Sequence, residues 1–100
     1  MPIIGAGLVQ QDEVRERVKR LQQLFANDPE VARIDHRLAE DWSGDHSIFV
    51  DVVLNRAAPP TAVVARLSEQ IATALLQVVR SEELGLHSYF NFLSRPVNGR

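Results

Sequence analysis

The residues with the most chemical potential are concentrated in one short stretch, residues 40 to 47. It contains the one Trp of the chain, a Gly, a His and three carboxylates: Glu40, Asp41, Trp42, Ser43, Gly44, Asp45, His46 and Ser47. Carboxylates and imidazoles are ordinary ligands of divalent cations, and a tight turn can bring them together. The same composition is typical of a hairpin turn, because short polar side chains bond to nearby backbone. The turn is the favoured interpretation, since the spacing matches no compact ligand signature.

A metal site remains the competing hypothesis, with a divalent ion such as zinc and four candidate ligands: His36, Asp41, Asp45 and His46. His36 lies on a predicted inner strand face between apolar neighbours, where a neutral core histidine is the simpler interpretation. With Glu40 or a neighbouring carboxylate as its partner it would titrate near neutrality, and the domain would respond to pH or metal.

Catalysis is not expected from this chain. It has no Cys, which excludes thiolate chemistry and disulfides. Ser43, Ser47 and Ser88 lie in no nucleophile elbow or Gly-rich oxyanion turn. We therefore predict a non-enzymatic protein with no cofactor.

The charge balance limits the classes of partner. Eleven Lys and Arg stand against 13 Asp and Glu, which gives a net charge of −2. Such a surface does not favour nucleic acid, whose phosphates attract a basic patch. No run of about 18 apolar residues indicates a membrane span. We expect a cytoplasmic protein of bacterial type, with no membrane or nucleic-acid partner.

The length of 100 residues and the hydrophobic content of 45% suit one domain, residues 1–100, with flexible ends at 1–10 and 96–100. Apolar residues at helical spacing predict a first helix from about 11 to 26: Val14, Val18, Leu21, Leu24 and Phe25. A second helix from about 61 to 80, with Thr61 as its N-cap, carries a second stripe: Val64, Leu67, Ile71, Leu75 and Val78.

Three segments alternate with the period of two that is typical of strands. The first begins at Val31 and directs its even-numbered residues inward, from Ala32 to Trp42. The second, residues 48–54, is β-branched and apolar on both faces, as a central strand is. The third, residues 86–93, is rich in aromatic residues and directs Leu86, Phe90 and Phe92 inward.

The resulting order is α-β-β-α-β, which predicts an α+β two-layer sandwich. Both helices cover one face of a three-stranded mixed sheet, because the second helix brings the third strand back parallel to the second. The other face would be open and too apolar for plain solvent. A charged rim around exposed apolar residues usually marks an interface. We predict partner binding by Phe49, Val53, Tyr89 and Leu93, with Trp42 in the hairpin beside them.

The order of elements resembles the cytoplasmic C-terminal domain of cation diffusion facilitator transporters, a dimerising ferredoxin-like module. The similar segments are Asp28-Pro29-Glu30-Val31, His36 with Leu38, and Ser43-Gly44, within residues 12–93. The resemblance implies a homodimer that responds to divalent metal, with His36 as the one ligand that carries over. Asp51 or Val52 stands where that family often has His, and His87 comes earlier than the corresponding ligand.

A second resemblance is to uncharacterised small bacterial proteins. It rests on Trp42-Ser43-Gly44-Asp45, Ile48-Phe49 and Tyr89-Phe90-Asn91-Phe92. This resemblance implies a binding partner for another small protein, as an antitoxin is for its toxin. Taken together, the sequence predicts a small protein-interaction module, homodimeric or neutralising a partner, with a metal-responsive domain as the alternative.

Overall fold

The computed structural model of the chain describes the backbone of residues 3–94 and the side chains of residues 10–94. Its elements are α1 (Ile3–Leu24), β1 (Val31–Glu40), β2 (His46–Leu54), α2 (Thr61–Ala74) and β3 (His87–Ser94). A π-helical segment, Leu75–Val79, continues α2, and a 3-10 turn, Ser81–Leu84, precedes β3. The predicted α+β layout with a three-stranded mixed sheet is confirmed.

The strand order in the sheet is β1-β2-β3. β2 pairs antiparallel with β1 and parallel with β3, so it is the central strand. One row of the register joins Arg37, Phe49 and Tyr89, and a second joins Arg33, Val53 and Leu93. Odd-numbered residues of all three strands therefore lie in common rows on one face of the sheet.

The core lies between the helices and the even-numbered face. Four successive even residues of β2 are buried there: Ile48, Val50, Val52 and Leu54. α1 adds Val14, Val18, Leu21 and Phe25, while α2 and its π-helical extension add Leu67, Ile71, Ala74, Leu75 and Val79. Leu86 is buried, and Phe90 and Phe92 pack against this cluster, so the predicted inner face of β3 is confirmed.

The first helix differs from its prediction at both ends. It begins at Ile3 rather than near residue 11, so residues 3–10, expected to be flexible, continue the helical backbone. Gly5 and Gly7 weaken the helical signal in sequence without preventing the helix. Leu24, predicted in the buried stripe, lies at its margin and is 60% exposed. The expected flexible segment 96–100 lies outside the described residues.

The second helix holds two corrections. The residue before its first turn is Pro60, and no side-chain cap bond forms there, so the prediction of Thr61 as N-cap was wrong. Farther along, Val79 is fully buried whereas Val78, predicted in the stripe, is only half-buried. The cause is the π-helical segment, whose wider turn shifts the inward face by one residue.

Arg17 is a buried charge that ties α1 to this shifted helix end. Its guanidinium donates hydrogen bonds to the carbonyl oxygens of Val79 at 2.8 Å and Arg80 at 3.2 Å. Glu13 at 2.9 Å and Glu83 at 3.1 Å balance its charge. The π-helical segment ends at Arg80 in a left-handed conformation with φ of 47°. Arg17 therefore supplies a donor to the Val79 carbonyl at the helix end, and a second one to the Arg80 carbonyl, which also accepts a bond from the amide of Glu83.

The segment Thr61–Val79 has the length and composition of a membrane span, with a mean hydropathy of 1.3. In the structure its apolar stripe packs on the sheet through Leu67, Ile71 and Val79. The core takes up this stripe, and 28% of the segment is buried.

Candidate protein-interaction surface

The odd-numbered face of the sheet lies opposite both helices, and we call it the open face. Its twelve residues come in equal number from the three strands: Arg33, Asp35, Arg37, Ala39, Ser47, Phe49, Asp51, Val53, His87, Tyr89, Asn91 and Leu93. None of them belongs to the core cluster formed by the described helices. The open face is thus a mixed surface, apolar in part and charged along β1.

Three aromatic rings follow one another across the open face, and we call Phe49, Tyr89 and Trp42 the aromatic row. The centroids of Phe49 and Tyr89 are 5.3 Å apart with the planes 23° from parallel. Tyr89 and Trp42 are 5.0 Å apart and tilted by 51°. At the other end, the guanidinium carbon of Arg37 lies 4.6 Å from the centroid of Phe49. Such spacings are those of favourable aromatic and cation–π contacts.

Trp42 ends the aromatic row and is 82% exposed. It follows β1 within the hairpin rather than continuing the inward face, so the prediction that it points toward the core with the even residues was wrong. The chain leaves β1 at Glu40, and the turn carries the indole to the side of Tyr89. A ring this exposed leaves a large apolar surface in contact with water.

The hairpin owes its shape to Asp41. Its Oδ1 accepts hydrogen bonds from the backbone amides of Ser43 at 2.9 Å and Asp45 at 3.0 Å, and from the Ser43 hydroxyl at 2.7 Å. Its Oδ2 accepts bonds from Ser47 at 3.2 Å and Tyr89 at 2.9 Å. Gly44, with φ of 87°, supplies the left-handed turn that other residues rarely adopt. Asp41 therefore organises the hairpin turn that the sequence predicts for this stretch.

These bonds set the protonation of both ends of the Asp41–Tyr89 contact. The hydrogen bond from the Ser43 side chain lowers the pKa of Asp41 well below 3.8, and the bonds from Tyr89 and the two amides add to this. Asp41 in turn raises the pKa of Tyr89 above 10.0 by accepting its hydrogen bond. At neutral pH a carboxylate thus accepts a bond from a protonated phenol, the stronger charge-assisted kind.

The predicted ligands come together only in part. Asp41 and Asp45 do approach, and the imidazole that joins them is His87 of β3, with ligand atoms within 4.8 Å of one another. His87 Nε2 lies 3.3 Å from Asp45 Oδ2. His46 and His36 do not belong to this group. The parallel pairing that sets Ser47 beside His87 explains the approach, and sequence spacing alone does not reveal it.

His36 lies at the edge of the core on β1 and is half-buried. Burial lowers its pKa below 6.5, and the nearby charge of Arg15 lowers it further, against an opposing effect of Asp35. Glu40, its hypothetical partner, is exposed and contributes nothing to this shift. His36 is therefore neutral at pH 7, in keeping with a core histidine.

The remaining predicted interface residues differ in their exposure to solvent. Phe49 and Tyr89 are half-buried, and Leu93 is 43% exposed. Val53 is only 4% exposed, between Arg33 and Leu93 in the register. It can support an interface from below but offers a partner little surface. Arg37, which sequence reasoning did not assign to the interface, stands at the end of the aromatic row.

Comparison of the chain with protein-family models, curated proteins and solved structures found no match.

Proposed function

We propose that this chain is a protein-interaction module that binds through its open face, as a homodimer or as the neutralising, antitoxin-like partner of another small protein. The observation that carries the proposal is the aromatic row, which ends in an 82% exposed Trp42. Trp, Tyr and Arg are the residues most enriched among those that dominate binding energy at interfaces. Here successive contacts join Trp42 of the hairpin to Tyr89, Phe49 and Arg37 on the open face.

The row is preorganised for association. Phe49 and Tyr89 are held by the sheet, and the Asp41 hydrogen bond fixes the Tyr89 ring against Trp42. Ordering flexible side chains on binding costs free energy, which a surface already in position avoids. Arg33, Asp35 and Arg37 of β1, with Asp51 of β2, place both signs of charge beside the rings. Such a rim selects a partner of complementary pattern rather than any apolar surface.

The metal-responsive alternative depends on the approach of Asp41, Asp45 and His87. Against it, both oxygens of Asp41 already accept hydrogen bonds from the protein. A cation would have to displace several of these bonds and release the hairpin. Association through the open face needs no such change, and we favour it for that reason.

The proposal is tested by capturing the tagged protein from its own cells at native expression, in three forms. Wild type should recover a partner in fixed stoichiometry, and Phe49→Glu should lose it because a charge then stands in the aromatic row. Leu76→Glu is the matched control: Leu76 is 67% exposed on the helical side, and this variant should keep the partner.

Circular dichroism must show that each variant is folded. Because Phe49 is half-buried, Trp42→Ala provides a second variant that removes an exposed ring without touching the core. If Phe49→Glu and Trp42→Ala both fold and both retain the partner, the proposal is refuted. Loss of it by Leu76→Glu as well would place the interface elsewhere.

A further inference from the structure

The two outer edges of the sheet are built differently. Along β1, three charged side chains alternate on the open face: Arg33, Asp35 and Arg37. The side-chain amide of Gln22, from α1, donates a 2.7 Å hydrogen bond to the backbone carbonyl oxygen of Ile34. Charges and a side chain bonded to the backbone are devices that keep an edge strand from pairing with another chain.

β3 has neither device. Its eight residues, from His87 to Ser94, include no Lys, Arg, Asp, Glu or Pro. Within residues 3–94, every hydrogen bond to its backbone comes from pairing with β2. Alternate amide and carbonyl groups point away from β2, where they are available to another strand. A β-prone, nearly uncharged strand at a sheet edge is a template for strand addition.

We infer that β3 pairs antiparallel with β3 of a second copy and joins the two sheets into one of six strands. The strand is complementary to itself in the register centred on Asn91. That register places Phe90 opposite the partner's Phe92, and Tyr89 opposite the partner's Leu93. Apolar residues meet on both faces, and no like charges oppose each other.

The occupant follows from this symmetry. A two-fold axis midway between the two copies of Asn91 makes the contacts of the two chains identical, as in most homodimers. Phe90 and Phe92 are half-buried, with their rings edge to face at 5.8 Å, and a second copy of the same pair would cover their exposed rims. All helices then lie on one side, and two open faces form one continuous surface. The inference does not need the proposed function, because edge pairing leaves the open face uncovered.

Cysteine cross-linking tests the pairing, since the chain has no Cys of its own. In Asn91→Cys, two directly opposed residues have Cα atoms about 4.5 to 5.5 Å apart, within the range a disulfide spans. Mild oxidation should convert this variant to a covalent dimer of twice the 11.2 kDa chain mass. Asp35→Cys is the control, because it lies in the same row on the protected edge and is also exposed. No dimer from Asn91→Cys, or equal cross-linking of both variants, overturns the inference.

Light scattering of the wild type and of Phe49→Glu separates this inference from the proposed function. Edge pairing predicts a dimer for both proteins. A monomeric Phe49→Glu beside a dimeric wild type would make the open face the homodimer contact and overturn edge pairing. A wild type that remains monomeric at about 100 times the concentration used for cross-linking would also overturn it. Dimers in both proteins, with partner capture unaffected by Phe49→Glu, would support edge pairing while refuting the proposed function.

Discussion

The Tyr89 hydroxyl donates a 2.9 Å hydrogen bond to Oδ2 of Asp41, across 48 residues of sequence. This one contact joins β3 to the hairpin between β1 and β2 and sets the ring against which Trp42 packs. The organisation of the aromatic row and that of the hairpin thus depend on the same pair.

Tyr89→Phe keeps the ring but removes the bond, and its melting temperature should fall in a pH-dependent manner. The pKa of Asp41 is lower in the folded protein than the ordinary 3.8. The stabilisation linked to that lowering is complete above the unfolded pKa and is lost as the pH falls through the folded pKa. The difference between wild type and variant should therefore be full at pH 7 and should shrink only below pH 3.8, as the pH falls through the lowered folded pKa of Asp41.

Ser43→Ala serves as the companion variant, because the Ser43 bond is the largest cause of the lowered pKa of Asp41. It should show the same narrowing at low pH. A pKa of the Asp41 carboxyl group, followed by NMR titration, that is no higher in either variant than in the wild type would contradict the role of ionised Asp41 as the acceptor of these bonds.

Trp42 reports on the open face through its own fluorescence, since it is the one Trp of the chain. In the free protein we expect emission like that of indole in water and ready quenching by iodide, because the ring is 82% exposed. Adding a partner that covers the open face should shift the emission to the blue and reduce quenching. A partner that binds without altering either signal does not use the aromatic row.

Arg17→Met should destabilise the fold although it adds an apolar residue. The carbonyl group of the buried Val79 would lose its side-chain donor, and an unsatisfied buried polar group costs about 1 to 3 kcal/mol. Urea unfolding measures this. Arg20→Met, an exposed change on the same helix, should stay within about 0.5 kcal/mol of wild type. An equal effect of the two variants would mean that Arg17 does not hold the helix end.

Zinc or manganese should leave the melting temperature unchanged, and so should a chelator. A ligand that binds only the folded state must raise stability, and occupied oxygens on Asp41 leave little for a cation to gain. His87→Ala is the variant to compare. A rise in melting temperature with metal that disappears in His87→Ala would favour the metal-responsive alternative.

Local periodicity was enough to predict the layers of this fold, because each buried stripe follows the repeat of its own element. Ile48, Val50, Val52 and Leu54 alternate without interruption, and their strand lies at the centre of the sheet. The π-helical turn was not predictable, since widening a helix by one residue leaves no mark in an apolar stretch such as Leu75–Val79. Val79 replaced Val78 in the core for that reason.

The residue types of the site were predictable from the sequence, but the contacts between its residues were not. The open face, with Phe49 and Tyr89, follows from strand alternation, whereas the placement of Trp42 does not. By contrast, His87 and Tyr89 reach the hairpin only because β3 pairs parallel to β2 in one particular register. Such long-range pairings depend on the whole sheet, so sequence reasoning placed His36 and His46 in a group that contains neither.

Even-numbered and odd-numbered residues of the central strand β2 are under two different kinds of selection. Ile48, Val50 and Val52 pack in the core with the helices and are selected for folding. Phe49 and Asp51, which alternate with them, lie on the open face and would be selected for contact with a partner. In a library that randomises β2, survivors chosen for folding should be restricted at alternate codons, and survivors chosen for partner binding at the intervening ones. Under the proposed function, new binding specificity can therefore evolve at Phe49 and Asp51 with little change to the core beneath them.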